Sequence, residues 1–224
     1  MDTHRISTGE TALDAAYESI RADLLAGRFA PEAKLRVEEL CARYGLGPTP
    51  IREALSRISA GGMIVATPNR GYRVAAISRA EYRELVELRL TLEPDTLARS
   101  ISRGDMDWEA RVAAAYHRLA TMQKRLRRKS QDGLRNWARE DRGFHLALLS
   151  NCGSDWLLRF CASIYDQTAR YHRDRILQGV APVRQTEDEH KSLLEAAHCR
   201  DAKGAAQMLR KHIRNVAARI ERAL

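Results

Sequence analysis

Four side chains of metal-ligating type lie in three helical stretches in the later part of the 224-residue sequence. Asp141 and His145 are four residues apart, so on a helix both project from one face and can reach a single ion. Leu134, Trp137, Ala138, Phe144 and Leu148 share that face, which predicts that the pair points inward. His190 shares a stripe with Leu193, Leu194 and Ala197, and His212 borders Leu209, Ile213 and Val216. One carboxylate and three imidazoles are the donor set of a zinc, nickel or manganese type of site, with zinc the first expectation. Taken singly, each would pass for a hydrogen-bonded core residue. Periodicity alone does not bring the three helices to one point.

A second inward group is Arg89 with Glu93, at the centre of a face formed by Tyr82, Leu85, Val86, Thr96 and Leu97. A charge in a core is costly unless paired. Two readings are open: a buried Arg89–Glu93 ion pair tying helices together, or an Arg89 fork that reaches a cavity and grips a carboxylate. His172 flanks a buried stripe, and Arg175 in the same helix lies on its face and is a second candidate for an anionic ligand. His4, His117 and His198 fall off the buried stripes. The run from Lys124 to Lys129 reads most simply as a solvated helix end.

These residues need rigid supports, and the periodicity supplies them. Helices are expected over about 79–102, 108–129, 134–150, 155–177, 187–199 and 202–223. Ser78-x-x-Glu81 and Thr186-x-x-Glu189 read as capping boxes, and Asp201 as the cap of the last helix. The boundary falls at Ile77-Ser78, which gives two domains, 1–77 and 78–224, the second an all-α bundle. Before it, Thr11–Ala26 is amphipathic through Leu13, Tyr17, Ile20 and Leu24, with Gly27 as its stop. Val37, Leu40, Cys41 and Tyr44 then share a helical face that ends at Gly45, and Pro48 opens a further helix with Ile51, Leu55 and Ile58 inward. Thr49, Arg52 and Ser56 are left facing outward. Met63–Thr67 and Tyr72–Ala76, joined through Pro68-Asn69-Arg70-Gly71, read as a β-hairpin. The fold class is mainly α, with an N-terminal winged helix-turn-helix and a C-terminal helical bundle.

The stretch from Leu35 to Val74 resembles the head of the GntR family of bacterial transcription regulators. The resemblance is carried by Leu35, the EEL around Leu40, Tyr44-Gly45, Thr49-Pro50-Ile51-Arg52-Glu53-Ala54-Leu55, Arg57, Gly62 and Arg70-Gly71. The family usually has Ser-Arg before the Thr-Pro, where this chain has Gly47-Pro48. One expected contact is therefore missing, and a family-average operator is not implied. The resemblance implies DNA contacts at Thr49, Arg52, Ser56, Arg70 and Gly71. Asp141-x-x-x-His145, His190 and His212 are similar to the metal-binding FCD domain of the FadR subfamily. Arg89 in ELRLTLEP, Phe144 and Glu189-His190 match that domain as well. KLRVEELCARYGLGPTPIREALSRI, GYRVAAIS and SNCGSDWLL look most like the CsiR-like branch of repressors of dicarboxylate catabolism. This implies a homodimer, a palindromic double-stranded operator, and a small organic acid bound at or beside a divalent metal.

Composition limits the alternatives. No apolar run approaches the roughly 18 residues of a membrane span, no signal peptide opens the chain, and four scattered cysteines without a CxxC pair suit a reducing cytoplasm. The net charge of +9 is not concentrated in the head: residues 1–77 hold ten Lys/Arg against nine Asp/Glu, and residues 78–224 hold 28 against 20. Within Gly47–Val74, however, Arg52, Arg57, Arg70 and Arg73 face Glu53 alone. The rival class is a metal-dependent hydrolytic enzyme with an accessory DNA-binding head. Its two Glu-x-x-His strings, Glu187–His190 and Glu195–His198, share one helix, whereas a di-metal site wants them on two. No phosphate loop, dinucleotide fingerprint or Ser/His/Asp order is present, so catalysis is not expected.

Overall fold

A computed structural model of the chain describes residues 11–67, 71–126, 131–172, 184–222 and 224, and of residues 125, 126, 131–135, 172, 184 and 185 the backbone alone. The chain divides into two compact units, Met1–Ile77 and Ser78–Leu224.

In the first unit, α1 (Ala12–Leu25) is capped by Thr11, whose side chain accepts from the Asp14 amide, and it packs on α3. Strand β1 (Lys34–Leu35) precedes α2 (Val37–Tyr44). Gly45 ends α2 with φ +66°, a left-handed conformation that costs glycine little. The next helix, α3 (Pro48–Ala60), buries Ile51, Ala54, Leu55 and Ile58. Strands β2 (Ile64–Thr67) and β3 (Gly71–Val74) pair antiparallel with Ile64 opposite Val74 and Thr67 opposite Gly71. The wing is a three-stranded sheet in the order β1-β3-β2, not the two-stranded hairpin expected. Leu35, expected at the start of the helix-turn-helix, pairs with Tyr72 instead and is buried. A two-residue strand has too little alternation to be read from sequence, and it exists because β3 supplies a ladder for it.

Asp23 of α1 is almost wholly buried and receives several groups. The Tyr44 phenol donates to it at 2.8 Å, and the Arg28 and Arg43 guanidinium groups each lie 3.5 Å away. Burial, with the Asp23 carboxylate beside it, holds the Tyr44 phenol above the usual tyrosine range.

In the second unit, α4 (Arg79–Arg103) packs mainly on α9 (Ala202–Glu221) and α7 (Asp155–Ala169). The paired helices α5 (Met106–Leu126) and α6 (Gln131–Leu149) lie together, with α8 (Arg184–His198) against α5 and α9. Their core includes Leu97, Ile101, Trp108, Leu119, Phe144, Leu193 and Leu209. Ser78 and Asp201 cap α4 and α9, the former accepting from the Glu81 amide and the latter from that of Gly204. The Glu81 carboxylate accepts from Arg170 and Tyr171 instead, so only the Ser78 half of the expected capping box forms. The Thr186 capping box does not form. Helix α8 already begins at Arg184, Thr186 is buried and accepts from Arg219, and Glu189 is engaged elsewhere. Helix α7 tightens into a 3-10 turn at Arg170–His172, short of the Leu177 end expected; residues 173–183 lie outside the described residues.

Candidate metal centre and DNA-facing helix

The i, i+4 spacing on α6 places Asp141 and His145 on the buried face, and both are at least nine-tenths buried. His190 from α8 and His212 from α9 meet them there. One ligating atom from each of the three histidines lies within 4.8 Å of the other two. His145 Nε2 and His190 Nε2 are 3.3 Å apart, and Asp141 Oδ1 is 3.5 Å from His190 Nε2. Phe144, fully buried on α6, presses edge-on against both His145 and His190. The four candidate ligands are therefore brought to one place.

Neighbouring side chains orient the imidazoles. Glu189 Oε2 lies 2.8 Å from His212 Nδ1, and a carboxylate can only accept, so Nδ1 carries the proton and Nε2 keeps its lone pair. Asn215 donates to the other Glu189 oxygen at 2.6 Å. Burial works against the Glu189 charge, but the hydrogen bonds from His212 and Asn215 outweigh it and hold the carboxyl below its usual range. The Gln123 side-chain nitrogen lies 3.3 Å from His190 Nδ1 and holds that edge of the ring. With the amide turned so that its oxygen accepts from Nδ1–H, the Nε2 lone pair of His190 would be left for the cluster. Burial pushes His190 well below the ordinary imidazole range, so it is neutral and able to ligate.

Asp141 Oδ2 accepts a short hydrogen bond from the Tyr165 phenol of α7, while Oδ1 is buried with no hydrogen-bond partner. Burial raises the Asp141 carboxyl above its usual range despite that bond and the nearby positive charge of Arg89. Burial likewise pushes the Tyr165 phenol well up, helped by the Asp141 charge. A buried carboxylate oxygen without a hydrogen-bond partner, beside three clustered imidazoles, is unfavourable as it stands. A divalent cation there would give that oxygen a partner, so the residues fit a metal of the His/Asp class.

Arg89 and Glu93 are both buried and joined by two hydrogen bonds, Nε to Oε1 at 2.5 Å and Nη2 to Oε2 at 3.0 Å. The pair lies within α4, so of the two readings the ion pair forms but does not tie two helices together. What spans helices is the Arg89 guanidinium over the Tyr165 ring of α7, 4.8 Å from its centroid. Arg175 and the side chains of His172 and Leu134 lie outside the described residues. His117 and His198 are exposed. Sequence reasoning missed Tyr165 and Gln123. Gln123 carries a readable signal, a polar residue one turn beyond Leu119 on the stripe of Val112 and Ala115. Tyr165 carries none, because an aromatic beside Cys161 and Leu158 looks like ordinary core.

In the first unit Thr49, Arg52 and Ser56 share the exposed face of α3, and Arg52 has no ion pair among the described residues. Two other arginines of this region are committed to the scaffold. Arg57 reaches Asp14 at 3.4 Å and lies over the Tyr17 ring at 4.2 Å, and Arg73 donates to the Glu32 carbonyl at 3.0 Å. Gly71 is exposed with φ +78°; Arg70 lies outside the described residues.

Residues 13–74 match the gntR family of bacterial regulatory proteins, and residues 84–215 match the FCD domain. Two relatives cover most of the chain. The HTH-type regulator BphR of Paraburkholderia xenovorans is 35% identical over 208 residues, 93% of this chain and 84% of that one. The HTH-type transcriptional repressor GlaR of Escherichia coli is 34% identical over 206 residues, 91% and 92% of the two chains. E. coli McbR/YncC has the same fold, with a TM-score of 0.83 at 18% identity over 95% of this chain and 98% of its own. The matched families and relatives are regulators and not enzymes, which removes the hydrolase alternative. The chain is a transcriptional regulator that belongs to the GntR family, with a winged helix-turn-helix head followed by an FCD domain.

Proposed function

We propose that this regulator is a cytoplasmic homodimeric repressor. Residues 1–77 bind DNA, and residues 78–224 dimerise and bind a small carboxylate beside a divalent metal. The observation that carries this reading is the convergence of Asp141, His145, His190 and His212, with the bare Asp141 Oδ1 facing His190. Those four residues would hold the ion, zinc first and nickel or manganese as alternatives. When bound, it supplies Lewis-acid attraction for a carboxylate. Arg89 supplies positive charge next to the same site, and Arg175 is the second candidate for the effector.

Thr49, Arg52 and Ser56, with the Arg70-Gly71 wing, read the operator, and two heads read a palindrome with half-sites about one helical turn apart. The effector acts through its differential affinity for two bundle geometries, only one of which suits that spacing. The repressor name of GlaR supports the sign of regulation. A thermal-shift screen of mono- and dicarboxylates on metal-loaded protein, with gel shifts on an operator selected in vitro, tests the reading. Metal-dependent stabilisation by a carboxylate that also changes operator affinity is expected. Protein that purifies without metal, takes up none and responds to no carboxylate would overturn it.

A further inference from the structure

The two oxygens of Asp141 are treated differently by the fold. Oδ2 is capped by the Tyr165 phenol, and Oδ1 is bare, buried and 3.5 Å from His190 Nε2. Tyr165 is itself held from the other side by the Arg89 guanidinium over its ring, and Arg89 is fixed by its two bonds to Glu93. A carboxylate with both oxygens free can chelate one ion through both. One whose second oxygen is already accepting a hydrogen bond is restricted to the first.

We propose that Tyr165 is a positioning residue that makes Asp141 a one-oxygen ligand and so keeps a coordination position open for an incoming carboxylate. This rests on the metal-pocket reading above. The protein then offers four donor atoms, Asp141 Oδ1 and one nitrogen from each of His145, His190 and His212. A six-coordinate ion retains two positions, enough for one carboxylate group of a ligand. Without the phenol hydroxyl, Asp141 Oδ2 is released to occupy one of them. Removing the hydroxyl should therefore preserve or tighten metal binding while weakening the carboxylate, whereas a residue that merely supported the fold would weaken both.

The test uses full-length protein loaded with cobalt(II), whose visible spectrum reports coordination number, and acetate as the carboxylate probe. Tyr165→Phe keeps the ring under Arg89 and removes only the hydroxyl. Wild type and variant are expected to bind one cobalt per chain with similar affinity. The wild-type spectrum should change on acetate addition, and the variant should need about 10- to 100-fold more acetate, the usual scale for a partner of a metal ligand. Asp141→Asn, which ligates through one atom only, supplies a second background in which Tyr165→Phe should leave the acetate response unchanged. An acetate response in Tyr165→Phe equal to wild type, or loss of cobalt from that variant, would overturn the assignment of Tyr165. Failure of the wild type itself to take cobalt would instead overturn the pocket reading and this inference with it.

Discussion

Glu189 and His212, on neighbouring helices, are joined by a 2.8 Å hydrogen bond that fixes which imidazole nitrogen of His212 faces the cluster. Neither partner alone sets that orientation, because Asn215 in turn holds the second Glu189 oxygen. Glu189→Gln leaves a side chain that can donate as well as accept, so the His212 tautomer is no longer imposed. Metal affinity is expected to fall by about 10- to 100-fold, with the helical content unchanged. Competition against a chromophoric chelator measures it, and equal affinity would remove Glu189 from the support of the site.

Metal removal should destabilise the second unit, because a ligand that binds only the folded state stabilises it. At an ion concentration 100 to 1,000 times its dissociation constant the effect is about 3–4 kcal/mol. Thermal melts with and without a chelator are expected to differ accordingly. Asp141→Ala, His145→Ala, His190→Ala and His212→Ala should each lower both metal content and the chelator-sensitive part of Tm. Unchanged stoichiometry by elemental analysis in any two of them would show that the four do not form one site.

Arg52 and Arg57 lie on the same helix yet should behave differently. Arg52→Ala is expected to abolish specific operator binding while the head keeps its melting temperature, since its exposed side chain holds nothing in place. Arg57→Ala removes the contacts to Asp14 and Tyr17, which join α3 to α1. It should cost about 0.5–1 kcal/mol of head stability, the scale of an exposed cation–π contact. Gel shifts and melts on both variants separate the roles, and tight operator binding by Arg52→Ala would take it off the recognition surface.

Arg89 presents a choice that the single substitution cannot settle. Arg89→Gln leaves Glu93 buried without its cation and should cost about 3–5 kcal/mol. Replacing both charges in Arg89→Gln/Glu93→Gln avoids that penalty and leaves a folded bundle that still binds metal. If Arg89 contributes to the effector pocket, the double variant loses about 2–3 kcal/mol of carboxylate affinity, the scale of a charge-assisted hydrogen bond. Calorimetric titration decides it: equal affinity in the double variant assigns Arg89 to the pair with Glu93 alone.

Much of the fold and the site is legible in the sequence because the relevant residues are exceptions to a strong pattern. Asp141, His145, His190 and His212 are polar positions on apolar stripes, and a period of 3.6 residues makes such exceptions visible. The same holds for Arg89 and Glu93, and the positive φ of Gly45 accords with its place after Tyr44. What sequence does not supply is direction between elements. Arg89 and Glu93 could equally have paired across helices, and nothing local tells Tyr165 from a core aromatic. Thr186-x-x-Glu189 has the letters of a cap, but the partners that claim Thr186 and Glu189, namely Arg219, His212 and Asn215, lie on α9. Leu35 passes for the start of a helical motif because β1 exists only through its pairing with β3.

The convergence of Arg28, Arg43 and Tyr44 on the single Asp23 carboxylate makes substitutions in the head epistatic. Residues that share one partner do not have additive effects on stability. Once Asp23 is replaced by Asn, the charge that anchors the two guanidinium groups is gone, and a later Tyr44→Phe should cost much less than it does in the original chain. The order in which such changes are accepted therefore decides which of them the DNA-binding head survives.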